Sequence, residues 1–108
     1  MPLPTNLLLI ADHASNYIPK KYNNLGISKK EILTHKAYDP GVRDLAINLS
    51  NKLNSYLVLG DYSRLLIDFN RDLNDPTLIS VISDRTIILG NKKITRQERI
   101  YRINKIYR

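Results

Sequence analysis

The stretch DPGVRDLAINLSNKLNSYLVLG, residues 39–60, decides the fold class. Asp39-Pro40 has the form of an N-cap followed by a proline at the first helical position, where the missing N–H is one the helix could not have bonded anyway. From there Val42, Leu45, Ala46, Leu49 and Leu53 recur with helical period on one face, which predicts a helix over about residues 40–54. Tyr56 to Leu59 then reads as a strand, ended by Gly60-Asp61. Upstream, Leu7-Leu8-Leu9-Ile10 is another short apolar strand running into the polar loop Ala11-Asp12-His13-Ala14-Ser15-Asn16. Ser28-Lys29-Lys30-Glu31 has the spacing of a capping box and marks a short helix between the two. Downstream, Leu65 to Phe69 is a third apolar run, Asp75-Pro76 is a turn, and Ile79 to Ile82 and Thr86 to Leu89 read as short strands around Ser83-Asp84-Arg85. Strands alternate with helices, so the expected class is an α/β layered domain.

Composition narrows the chemistry. The chain of 108 residues is long enough for one core, and it contains no cysteine, which excludes disulfide frameworks, thiol nucleophiles and iron–sulfur sites. Its longest aliphatic run, residues 7–10, is far below the ~20 residues of a membrane span and the ~7–15 of a signal-peptide core. No membrane association is expected, and the cytoplasm is the default compartment. The net charge is +7, but residues 1–84 hold nine basic and nine acidic residues, while residues 85–108 hold eight basic residues and Glu98 alone among acids. The excess therefore belongs to one terminal segment. Thr95-Arg96-Gln97-Glu98 is another capping box, and at about 100° per residue Ile100, Ile103 and Tyr107 form an apolar stripe while Arg99, Arg102, Lys105 and Arg108 spiral round the outer side. A solvated basic face outweighs a nucleic-acid contact, because the helix has a packing stripe and the chain lacks an RNA-binding aromatic motif. A small basic nucleic-acid-binding protein using this helix is the alternative reading. No Gly, Asn or Pro follows Tyr107-Arg108 to stop the helix, and the chain is expected to end in mid-element.

Three places can carry chemistry. His13 follows the first strand, at the carboxyl end where α/β sheets gather active-site groups, and is either a metal or substrate ligand or a polar loop residue. His35 and Asp39 lie four apart, and with His13 they offer two imidazoles and a carboxylate to one divalent cation such as zinc, although an N-capping Asp39 needs no further role. Tyr62-Ser63-Arg64-Leu65-Leu66-Ile67-Asp68-Phe69-Asn70-Arg71 places two arginines around an apolar run. Their planar forks suit carboxylates. The competing reading pairs Arg64 with Asp61, and Arg71 with Asp68 or Asp72.

In order, Asp12-His13-Ala14-Ser15-x-x-Ile18-Pro19, His35-x-x-x-Asp39-x-Gly41 and Tyr62-Ser63-Arg64-Leu65-x-Ile67-Asp68-x-Asn70-Arg71 resemble the N-terminal part of the N-formylglutamate amidohydrolase family. Asn91 and Glu98-Arg99-x-x-Arg102 extend the resemblance over almost the whole chain. It implies a metal-dependent amidohydrolase that cleaves N-formyl-L-glutamate, or a related N-acyl amino acid, to formate and glutamate in amino-acid catabolism. The implied fold is a phosphorylase/hydrolase-like, zinc-exopeptidase-like αβα layered domain, here incomplete. By the same resemblance His13 is a zinc ligand, Asn70 and Arg71 hold the substrate carboxylate with Arg64 assisting, and His35 is a catalytic group around metal or substrate. Where the related zinc hydrolases have a glutamate three residues after the first histidine this chain has Asn16, and Asp39 is the substitute metal ligand. Full-length members are more than twice as long, and their later part is expected to bring a further zinc histidine and a catalytic carboxylate. The chain is therefore expected to be a single truncated domain, a fragment or split-gene product with little turnover alone, whose partner is a separately encoded C-terminal half.

Overall fold

The computed structural model describes residues 6–108. In chain order the elements are strand β1 (Leu8–Ala11), a 3₁₀ segment (Lys20–Gly26), helices α1 (Lys29–Ile32) and α2 (Val42–Leu53), strand β2 (Tyr56–Leu59), hairpin strands β3 (Ile82–Ser83) and β4 (Thr86–Ile87), a 3₁₀ turn (Leu89–Asn91) and helix α3 (Arg96–Arg102), which continues as a π-helical turn (Ile103–Tyr107). The result is a small mixed α/β arrangement with one parallel and one antiparallel strand pair. β1 and β2 run parallel, Leu8 opposite Tyr56 and Ala11 opposite Leu59. Parallel neighbours need a long crossover, and α2 packs against both strands as part of it.

The carboxyl ends of the two strands converge because residue 60 is glycine. A Cβ there would lie 2.2 Å from the Asp12 carbonyl oxygen and 2.9 Å from the Phe69 ring. With only hydrogen in that space, Gly60 N–H donates to Ala11 O at 2.8 Å, and the loop carrying His13 is drawn against the one leading to Arg64.

The N-caps of both predicted capping boxes form: Ser28 and Thr95 accept from the backbone N–H of Glu31 and Glu98, while the two carboxylates turn to Lys36 and to Tyr22 and Arg102. α2 departs from the sequence reading. It starts at Val42 with Gly41 as N-cap in the left-handed region (φ 82°), and Asp39 does not cap it through its side chain. Of the predicted apolar face, Leu45, Leu49 and Leu53 are exposed, and the buried position is Ser50, whose hydroxyl donates to Ser55 O.

The third apolar run is not a strand. Leu65, Leu66 and Ile67 are fully buried in successive turns that join two core clusters, one around Ile18, Leu25, Ala37 and Ile88, the other around Leu78 and Ile79. Side chains satisfy their carbonyls in place of a neighbouring strand. Asn91 Nδ2 donates to Leu65 O (2.7 Å) and Arg102 Nη1 to Leu66 O (2.9 Å). Buried carbonyls must find donors, and here α3 provides one of them.

This explains the second departure. Arg102 lies buried inside the basic spiral expected to face solvent, and Ile100 of the expected apolar stripe is exposed. The guanidinium also meets Asn91 Oδ1 (2.7 Å) and Glu98 (2.9 Å) and stacks 4.7 Å from the Tyr22 ring centre. Tyr22 donates its hydroxyl proton to the same Glu98, and burial, then that carboxylate, raises the phenol above its ordinary value. Arg99 donates inward to Leu73 O. Among the described residues no helix is long and apolar enough to cross a membrane.

Candidate functional site

Four side chains from three loops meet beyond the carboxyl end of β1. His13 is brought there by the strand, Asp39 by the turn before α2, and Arg64 and Asp68 by the tethered Leu65–Ile67 segment. The loops are stitched to one another by backbone bonds: Asp39 N–H donates to His13 O (2.9 Å) and Arg64 N–H to Ala37 O (3.2 Å). Buried Ser63 adds its hydroxyl to Ala37 O at 2.7 Å.

His13, whose side chain is only 13% exposed, lies between two carboxylates. Its Nε2 is 2.6 Å from Asp68 Oδ1, and its Nδ1 is 3.2 Å from Asp39 Oδ2. An ionised carboxylate only accepts, so Nε2 carries the proton shared with buried Asp68. In the neutral ring the lone pair is then on Nδ1, facing Asp39. Two acceptors facing each other at this distance need positive charge beside them, and Arg64 supplies it: Nη1 is 3.3 Å from His13 Nδ1 and 3.2 Å from Asp39 Oδ1.

Arg64 is held from behind as well. Its Nε donates to Lys36 O (3.1 Å), and its Nη2 donates to His35 O and Tyr38 O. All three nitrogens of the guanidinium therefore have partners.

Arg71 is more open. It is half exposed and has a long 3.7 Å pair with Asp68 Oδ2. A cavity of about 250 Å³ lies beside it, lined by His35, Lys36, Arg64, Asp68, Arg71 and Ser80 among others. The His35 ring is exposed at its rim, 3.2 Å from Asp84 at the tip of the β3–β4 hairpin. Asn70 is tied to the site by its backbone N–H, which donates to Asp68 Oδ1 at 2.9 Å, while its side chain is exposed.

The structure thus gathers His13, Asp39 and Arg64 into one cluster and sets Arg71 and His35 on the adjoining cavity. Sequence reasoning missed Asp68 as a partner of the histidine and Lys36 as a cavity wall. The signal for Asp68 was a carboxylate directly after a fully apolar run, where burial demands a partner. Among the described residues no three His, Cys, Asp or Glu side chains are grouped to hold a metal ion. The reason is directional, since Asp39 and Asp68 approach opposite nitrogens of one ring.

A family model described as N-formylglutamate amidohydrolase matches residues 5–108. The chain is also similar to the crystal structure of a gene product from Agrobacterium tumefaciens, with 39% sequence identity and a TM-score of 0.90 over 93% of this chain. It spans 40% of the length of that protein. No match is found among curated proteins.

Proposed function

The chain belongs to the N-formylglutamate amidohydrolase family, and from that premise we propose that its site serves hydrolysis of the formyl amide of N-formyl-L-glutamate or a related N-acyl amino acid. We place this reaction in the cytoplasm, as a step of amino-acid breakdown. In the reaction water adds to the formyl carbon, the C–N bond breaks, and the amine leaves with a proton while formate carries the added oxygen. The reading rests above all on the cavity that sets Arg71 and Lys36 beside Asp68, one side chain away from His13. A dianionic amino acid finds Lys36, Arg64 and Arg71 around it, and of these Lys36 is already paired with Glu31 and Thr86. Arg71, its fork engaged only at 3.7 Å, is the carboxylate partner, with Asn70 next to it in the chain. Fixing the carboxylate converts binding into orientation of the scissile amide. His35, at the rim, is assigned to the catalytic side of the same cavity.

Zinc, where bound, polarises the formyl carbonyl and lowers the pKa of water toward ~7. This chain would supply two donors at most. His13 Nδ1 and Asp39 Oδ2, 3.2 Å apart, are the two side-chain donors that would hold it. Asp68 holds the far ring nitrogen, as carboxylates do for metal-bound histidines. The remaining donor and a general base are assigned to a separately encoded partner corresponding to the part of the Agrobacterium protein that this chain does not span. The zinc-exopeptidase-like αβα layering is completed in that complex.

The test is formate release from N-formyl-L-glutamate with added zinc. The chain co-expressed with that partner is expected to turn over, and R71A is expected to lose about a hundredfold in kcat/KM, the cost of one charge-assisted bond pair. Strong zinc-dependent turnover by the 108 residues alone would contradict the assignment to a partner. Absence of turnover in the complex would contradict the reaction.

A further inference from the structure

We propose that the uncovered face of the β1–β2 pair, with the cavity at its carboxyl end, seats an amphipathic helix of the partner polypeptide, and that a lysine or arginine of that helix meets Asp12 and Asp61. The inference rests on the partner assignment above and adds the place and the chemistry of the contact to it.

Three observations carry it. The first is that the strand pair is covered on one side only. Leu9, Ala11, Leu57 and Leu59 are buried or half-buried, and α2 packs against both strands. The alternate residues Leu8, Ile10, Tyr56 and Val58, which point to the other face, are each at least half exposed. Parallel strands are normally covered on both faces, and by helices.

The second is the charge at one end of that face. Ile10 and Val58 also line a cavity of about 370 Å³, where Leu59, Phe69 and Tyr107 add apolar surface and Asp12 and Asp61 add carboxylates. Among the described residues neither carboxylate has a hydrogen-bond or ion-pair partner. The arginine that the sequence offers to Asp61 is Arg64, and it turns to Asp39 instead. An apolar lining with two unanswered negative charges suits a side chain that is apolar along its stem and positive at its tip.

The third is a source for the helix. The similar Agrobacterium protein matches nearly all of this chain and carries a remainder longer than the part matched. The contact also reaches the site. Phe69, on the cavity wall, lies between Asp68 and Asn70, and the Tyr107 hydroxyl donates to Arg71 O at 2.7 Å. Asp68 and Arg71 line the anion cavity, so the docked helix and the substrate share the segment 68–71 as a common wall.

Co-expression of the tagged full chain with the part of the Agrobacterium protein that it does not span tests this without reference to turnover. The two are expected to co-purify. I10K with V58K is expected to retain under about a tenth of the partner on washed resin, since it sets two charges in an apolar contact. D12N with D61N is expected to retain about fivefold less at low salt, a difference that raised salt removes. Circular dichroism monitors folding of the variants. Nitration of the unsubstituted chain needs no variant: Tyr56, 73% exposed, is expected to react in the free chain and to be spared in the complex, while Tyr101, 41% exposed on α3, reacts in both. Full retention by a folded I10K/V58K chain, or equal nitration of Tyr56 in the complex, overturns the docking face. Equal retention by D12N/D61N overturns the basic contact. Self-association of the chain alone that I10K with V58K disperses gives the face to a second copy and overturns the proposal. A complex that forms on this face and releases no formate overturns the reaction and leaves the docking intact, whereas failure to co-purify overturns the docking and the partner assignment together.

Discussion

Asp68 shows how much depends on one carboxylate. Its Oδ1 is shared by the His13 ring and the Asn70 backbone, and its Oδ2 faces Arg71, while the side chain is almost wholly shielded from water. Replacing it by asparagine removes charge from bonds that cannot be remade by solvent, and D68N is expected to lower the unfolding free energy by about 2–3 kcal/mol. D39N, whose carboxylate is half exposed, is expected to cost under about 1 kcal/mol. Urea denaturation of the two variants checks this, and equal losses would show that burial does not set the difference. The histidine's place after an apolar strand was legible, but the four-residue spacing of His35 and Asp39 does not bring those side chains together: Asp39 faces His13, and the exposed His35 ring faces Asp84. The reason Asp39 matters was not legible. A Pro at the next position makes it resemble a helix cap, and only the left-handed turn at Gly41 frees its carboxylate for the site. Glycine permits that turn without announcing it.

At the scale of elements, α3 behaves as a bracket for the middle of the chain. Its start could be read from the Thr95–Glu98 capping box, because the interaction is local. The burial of Arg102 could not, because it depends on carbonyls distant in sequence. The same holds for Leu65–Ile67. An apolar run of that length suggests a strand, and what decides otherwise is that Asn91 and Arg102 reach its carbonyls first. N91A would leave Leu65 O and Ser80 O without that donor and Arg102 without one acceptor. A loss of about 3 kcal/mol is expected in thermal or urea unfolding, at the upper end for a buried polar group left unpaired. A loss under about 1 kcal/mol would mean that water replaces the amide.

At the scale of the whole molecule, the packing is uneven. The Cα radius of gyration is 15.4 Å, against about 13 Å for a compact domain of this length. One face of the parallel pair, Leu8, Ile10, Tyr56 and Val58, is exposed, as is the Leu45, Leu49, Leu53 row of α2. Parallel sheets are normally covered on both faces, so these surfaces suit the proposed partner. The chain alone is expected to enhance the fluorescence of an apolar dye, and I10K with V58K to cut the signal by roughly half while changing stability by under about 0.5 kcal/mol. An unchanged signal would place the dye elsewhere. The α/β class was legible from alternation of patterns, whereas the uncovered face was not, since periodicity reports which residues are apolar and not whether anything lies over them. The arrangement also ties α3 to the middle of the chain. The guanidinium of Arg102 grips Leu66 O across 36 residues. A disturbance of α3 is therefore felt at Leu66, two residues before Asp68, with nothing changed beside the site itself.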